Sequence, residues 1–197
     1  MSEAAYRKAL KFTFAHEGEY SNDPTDSGGP TKWGVSQQSI NDMLASDSAF
    51  LRSIGITSSS VASMKQITRD QAAAIFRHEH WEPLRCDAMP DSIAIAVFDF
   101  GMNAGNHQSI RTLQRAFNRT HVGEGLLSVD GYIGPQTLRA ASQMDNSRDI
   151  RLLLDARQDF YDGLVAKKPR KYSPFIRGWT KRVNDLRKYL GGVTCGS

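Results

Sequence analysis

Apolar positions recur with a helical period almost from the first residue. Tyr6, Ala9, Leu10, Thr13 and Phe14 fall at i, i+3, i+4, i+7 and i+8 and predict a one-faced helix over residues 3–17. Glu17 is the next position on that face, so its carboxylate points where the apolar stripe points, toward the core or a cleft wall. Gly18 is a natural helix-ending residue. Residues 18–36 then lose the period. They are too rich in Gly and Pro for a central strand, and they leave room for a small β-hairpin.

Helical signals return at Ser36, which can cap a helix through about residue 45. Residues 46–67 show no sustained period and read as loop with one short helix. Thr68-x-x-Gln71 is a capping box that opens a helix to about Trp81, where Pro83 prevents continuation. Ile93 to Phe98 are apolar all round, which predicts a buried helix over Asp91–Gly105. Ile110, Leu113, Gln114 and Phe117 mark the next helix. Asp130-Gly131-Tyr132-Ile133-Gly134-Pro135 is a turn feeding another, with Pro135 at its first position. Ile150, Leu153, Leu154, Phe160, Tyr161 and Leu164 form an amphipathic helix. Ser173-Pro174 starts the last one, with Ile176, Trp179, Val183, Leu186 and Leu190 on one stripe.

The fold class is therefore mainly α. With no repeat and no long linker, two lobes around a cleft are expected, residues 1–90 and 91–197. Asp99 and Asn103 lie four apart on one face of the apolar central helix. Burying them unpaired would cost roughly 1–3 kcal/mol each. They are expected to bond to the 18–36 loop or to line the cleft and bind substrate.

Charge adds a division of labour. Residues 1–98 hold nine Lys+Arg against twelve Asp+Glu, net −3. Residues 99–197 hold sixteen against nine, net +7, which recovers the total of +4. Lys167, Lys168, Arg170 and Lys171 are the densest cluster and imply an anionic partner. Nucleic acid matches the sign of the charge, but no reader motif is present, so none is expected. No run of 18 apolar residues exists, and the N-terminus shows no apolar signal-peptide core. Cys86 and Cys195 read as free thiols in a reducing compartment; pairing requires that the fold join them and the compartment oxidise. His78-Glu79-His80 places its histidines at i and i+2, on different helix faces, so neither a metal site nor a cofactor is expected.

The chemistry centres on Glu17. In the last turn of a helix the dipole disfavours a negative charge, and a carboxylic acid kept protonated is what a glycosidase needs to protonate a leaving oxygen. The run Glu17-Gly18-Glu19-Tyr20, then Asp23-Pro24, Asp26, Gly28-Gly29-Pro30-Thr31-Lys32 and Gly34-Val35-Ser36, resembles the signature of glycoside hydrolase family 108 muramidases. Further landmarks follow in family order: His80-Trp81, Phe98 to Gly105, Leu113-Gln114, Asp130 to Thr137 and Gly178-Trp179. The resemblance covers residues 6–182. It implies a lysozyme-like fold, peptidoglycan as substrate, and Glu17 as the catalytic acid. The family usually carries a glycine where this chain has Glu19.

On that basis Asp26, nine residues after the acid, is the first candidate for the group that activates water or stabilises the oxocarbenium-like transition state, and Thr31 helps hold the water. Glu19 is a rival carboxylate with a substrate-facing position. Asp23 and His16 read as structural. Tyr20 and Trp33 can stack on sugar faces or pack internally. Asp130 to Thr137 resembles a peptidoglycan-binding motif, but it reads more strongly as turn plus helix start. The expected activity is hydrolysis of the β-1,4 bond between N-acetylmuramic acid and N-acetylglucosamine by a monomer. That monomer would reach the wall through a holin-type or dedicated export route. Two alternatives stand: a lytic transglycosylase, and a non-catalytic wall-binding protein.

Overall fold

The computed structural model describes residues 2–17, 19–22, 28–120, 125–144 and 146–194. The chain is mainly helical, as the apolar periods require. It divides into two compact units, residues 13–79 and residues 1–12 with 80–197.

The smaller unit begins in the second half of α1 (Ser2–His16). Three short strands follow, β1 (Tyr20–Ser21), β2 (Thr31–Lys32) and β3 (Val35–Ser36), in one antiparallel sheet of order β1-β2-β3. Register pairs Tyr20 with Lys32 and Lys32 with Val35. The β2–β3 connection is thus two residues, Trp33 and Gly34, with φ of 53° and 84°. Positive φ at both positions is the geometry of a type I′ turn, whose twist matches the strands it joins. Ser36 then caps α2 (Gln37–Ser46) by accepting from the Ser39 amide. Between α2 and residue 67 the expected single short helix is two: α3 (Ser48–Ser53), capped by Asp47, and α4 (Val61–Gln66), capped by Ser60. A cap followed by only six helical residues carries too little periodicity to read. The Thr68–Gln71 capping box forms and opens α5 (Arg69–Phe76), which runs on into a π-helical turn, Arg77–Trp81.

The larger unit is organised around α6 (Asp91–Ala104). Every residue from Ile93 to Gly101 is buried. Packed around α6 are α7 (Asn106–Asn118), α9 (Ser147–Lys167) and α10 (Pro169–Thr194); α8 (Pro135–Ser142) packs on α7. The last helix begins at Pro169, not at Ser173-Pro174. Pro169 suits the first helical position, and Pro174 lies inside the helix, where it costs the interior one amide donor.

Asp99 is where expectation and structure part. Its carboxylate is fully buried in the larger unit, one oxygen 2.7 Å from Arg157 and the other 2.7 Å from Arg182. Both of its oxygens are taken up by arginines of the larger unit, and the residue has no exposed surface. Burial alone would push its carboxyl up; the two guanidinium charges and their hydrogen bonds outweigh that and hold it below the usual carboxylate range. Asn103 sits one turn on, exposed, and donates 2.7 Å to the Asp99 carbonyl. Cys86 is a buried free thiol donating weakly to the Ala94 carbonyl, its ionisation pushed well up by burial and then by Asp87. Cys195 lies outside the described residues.

Candidate active site

Glu17 follows the last turn of α1. Its amide still donates to the Thr13 carbonyl at 3.1 Å, so the helical hydrogen bonding carries the residue although the helix ends at His16. The side chain is half-buried and lies against Gly34. A β-carbon placed on Gly34 would stand 3.1 Å from Glu17 Cγ, 3.4 Å from its carboxyl carbon and 3.3 Å from Phe76 Cζ. Glycine suits position 34 on two counts: the turn requires positive φ, and a β-carbon there would press on Glu17 and Phe76 by a few tenths of an ångström. Trp33 accepts the same left-handed backbone without that excuse. A bulky residue there is strained by about 1–2 kcal/mol. Packing and hydrogen bonding around the Trp33 side chain sustain that strain and keep the turn at two residues.

Trp33 is held on several sides. Its indole N–H donates to the Ile67 carbonyl at 3.1 Å, its ring meets Phe14 edge-on with centroids 6.4 Å apart, and the Arg69 guanidinium lies 4.4 Å from the ring centroid. These contacts make it a packing residue of the hairpin. Tyr20, on β1, carries Lys65 over its ring at 5.7 Å, and its buried hydroxyl has no hydrogen-bond partner among the described residues. Glu19 is exposed and pairs with Lys32 Nζ at 3.2 Å, while its carbonyl accepts from the Trp33 amide. Thr31, half-buried on β2, donates to the Gly29 carbonyl at 3.3 Å. Asp26 and Asp23 lie outside the described residues.

The other candidates belong to the larger unit. Lys167, Lys168, Arg170 and Lys171 are exposed at the α9–α10 corner, beside an aromatic group in which Trp179 stacks on Tyr161 at 4.7 Å and on Phe175 at 5.7 Å. In the Asp130–Pro135 turn, the Gln114 amide does the organising. It donates to Asp130 at 2.8 Å and to the Tyr132 carbonyl at 3.2 Å, and accepts from the Gly131 amide at 2.9 Å. The Tyr132 amide, then Gln114, hold the Asp130 carboxyl below its ordinary range. Tyr132 is left 72% exposed, with His107 edge-on at 5.6 Å. The structural reading accounts for the motif, yet its exposed ring remains available to a ligand.

Sequence reasoning missed Gly34 as the residue against Glu17, Phe76 beside Gly34, and Lys65 and Arg69 on the aromatic rings. Trp33-Gly34 between two strand-like pairs was the available signal. Arg157 and Arg182 were also missed. Each falls on the apolar stripe of its helix, where a lone cation asks for a buried anion.

Residues 10–105 match the family model described as Glycosyl hydrolase 108, and residues 108–184 match that of a Predicted Peptidoglycan domain. The chain is a glycoside hydrolase whose first domain belongs to family 108. Among solved structures it is similar to SagA of Brucella abortus, at 28% identity and a TM-score of 0.73, over 97% of this chain and 96% of that one. No curated protein matches.

Proposed function

We propose that the protein is an N-acetylmuramidase that hydrolyses the β-1,4 bond between N-acetylmuramic acid and N-acetylglucosamine in peptidoglycan. Glu17 is the general acid. It gives its proton to the glycosidic oxygen as the C1–O bond breaks, and charge develops on the ring carbon and oxygen. Water adds to C1 and its second proton passes to a carboxylate, so the sugar leaves with a new hydroxyl. Asp26 is assigned to that second carboxylate role, with Thr31 helping to hold the water. Glu19, Tyr20 and Asn103 are assigned to substrate contact. Lys167, Lys168, Arg170 and Lys171 are assigned to holding the anionic wall.

The observation that carries this reading is the contact of Glu17 with a strained two-residue turn. A half-buried carboxylate lying against Gly34 is partly shielded from water, which suits a general acid. No helix among the described residues is long and apolar enough to cross a membrane. Because peptidoglycan lies outside the cytoplasmic membrane, the reading includes export through a holin or a dedicated secretion system.

Glu17→Gln tests the reading. The amide is nearly isosteric and cannot donate at the required acidity, so wall lysis should fall by at least roughly a hundredfold with folding unchanged. Mass spectrometry of the wild-type digest should find reducing muramic ends. A folded variant that clears wall normally would overturn the assignment of the acid. A digest of 1,6-anhydro sugars would make the enzyme a lytic transglycosylase.

A further inference from the structure

The aromatic residues of the hairpin carry cations on their faces. Lys65 Nζ lies 5.7 Å from the Tyr20 ring centroid, and Arg69 lies 4.4 Å from that of Trp33 and 5.6 Å from that of Phe14. Lys32 Nζ is also 5.0 Å from Trp33, but Glu19 neutralises it. Lys65 and Arg69 are exposed and make no ion pair among the described residues. From Ser48 to Arg69 the chain holds three cations and no Asp or Glu. Arg69 also sits in the first turn of α5, where the helix dipole favours an anion and opposes a cation. Between the two cations in sequence, Gln66 and Thr68 join Thr57, Ser58, Ser63 and Gln71 around a groove of about 240 Å³. That lining offers hydroxyls and amides and no charge. Ile67, another of its lining residues, accepts the Trp33 indole N–H.

From this we infer a substrate subsite beside the acid, in which Lys65 and Arg69 read a carboxylate of the glycan strand. The inference rests on the muramidase reading for its substrate. A long cationic side chain normally loses about 2 kcal/mol of rotamer freedom when an anion immobilises it. Here the rings already restrict both side chains, so an incoming carboxylate meets charge that is largely in place. Trp33 is fixed in turn by Ile67 and Phe14 and is joined to Gly34, which touches Glu17. Arg69 and Glu17 thus meet the same two-residue turn, while Lys65 lies over Tyr20 on the neighbouring strand. The subsite makes the enzyme prefer an acidic glycan over a neutral β-1,4 polymer such as chitin. Two sources supply the same carboxylate: the lactyl group of a peptide-free muramic residue, and the termini and side chains of the stem peptide.

The test compares the parent and Lys65→Gln/Arg69→Gln, both in the Glu17→Gln background, by calorimetric binding of soluble peptidoglycan fragments. The double variant should bind peptide-bearing fragments roughly tenfold more weakly at low salt, with the gap closing at high salt. Fragments whose carboxylates have been converted to neutral amides should bind both proteins equally. If the gap persists on glycan stripped of its peptides, the lactyl carboxylate is read; if it disappears there, the stem peptide is. Equal binding of charged fragments by both proteins overturns the subsite, as does an equal loss on neutralised fragments. In the active background the same pair of substitutions should raise KM and leave kcat nearly unchanged. A wild-type enzyme that releases no reducing ends would instead overturn the muramidase reading, and the binding comparison would still decide the subsite.

Discussion

Replacing Asp99 with alanine should melt the larger unit at a markedly lower temperature and leave catalysis below that temperature intact. Asp99 is fully buried, and both of its oxygens are engaged at 2.7 Å. Its removal leaves Arg157, whose side chain is only 2% exposed, facing an empty acceptor position. Arg157 keeps its bonds to the Tyr161 hydroxyl at 3.3 Å and its stack on Phe100, but neither neutralises a charge. Breaking a buried ion pair from one side costs about 3–5 kcal/mol. For a chain of this size each kcal/mol lowers Tm by about 2–4 °C, so the expected fall is about 6–20 °C. Asp99→Asn separates charge from volume: it keeps the shape and should recover only a small part of the loss. Differential scanning calorimetry and circular dichroism read the transition, and reducing-end release at 20 °C reads the activity. A normal Tm with lost cleavage would refute the reasoning and put Asp99 at the substrate. The same cluster sets an acid limit. Because the folded carboxyl is held below its ordinary value, its contribution to stability is fully present above about pH 4, the unfolded value, and is lost as pH falls through the lower folded value. The wild-type Tm should therefore decline on acidification more steeply than that of Asp99→Asn.

Other predictions concern the site and the surface. Gly34→Ala puts a β-carbon 3.1 Å from Glu17 Cγ at a backbone angle that alanine disfavours; kcat should drop about tenfold or more with KM nearly held, because misplacing a reacting group by about 1 Å can cost a hundredfold. Unchanged kcat would show that the acid does not depend on this contact. Asp26→Asn should lower kcat with little effect on KM; if it is neutral while Glu19→Gln is severe, the second-carboxylate role moves to Glu19. Neutralising Lys167, Lys168, Arg170 and Lys171 together should reduce sedimentation with purified wall at low salt, where the Debye length is about 10 Å, and spare cleavage of short soluble fragments. Equal binding across the salt range would reduce the cluster to a solvated surface.

Local rules were sufficient for most of the elements. The capping box at Thr68, the Ser36 cap, the apolar run of α6 and Pro135 at the start of α8 act within one or two turns of chain, so each could be read from neighbouring residues. The position of Glu17 at the end of α1 was legible for the same reason, since the stripe and the glycine after it are both local. What the sequence could not determine depended on pairs far apart in the chain. Asp99 looked like a polar residue in search of the nearest polar loop, yet its partners lie 58 and 83 positions away, and only helix packing brings them to it. Trp33 reads in the sequence as either a sugar-stacking or a packing residue, and only the fold shows its contacts with Ile67, Phe14 and Arg69. Gly34 was one motif glycine among several until the acid 17 residues earlier was found against it. A residue type states which interactions it can make. Only the tertiary structure decides which partners are already taken, because burial raises the cost of leaving any such group unpaired.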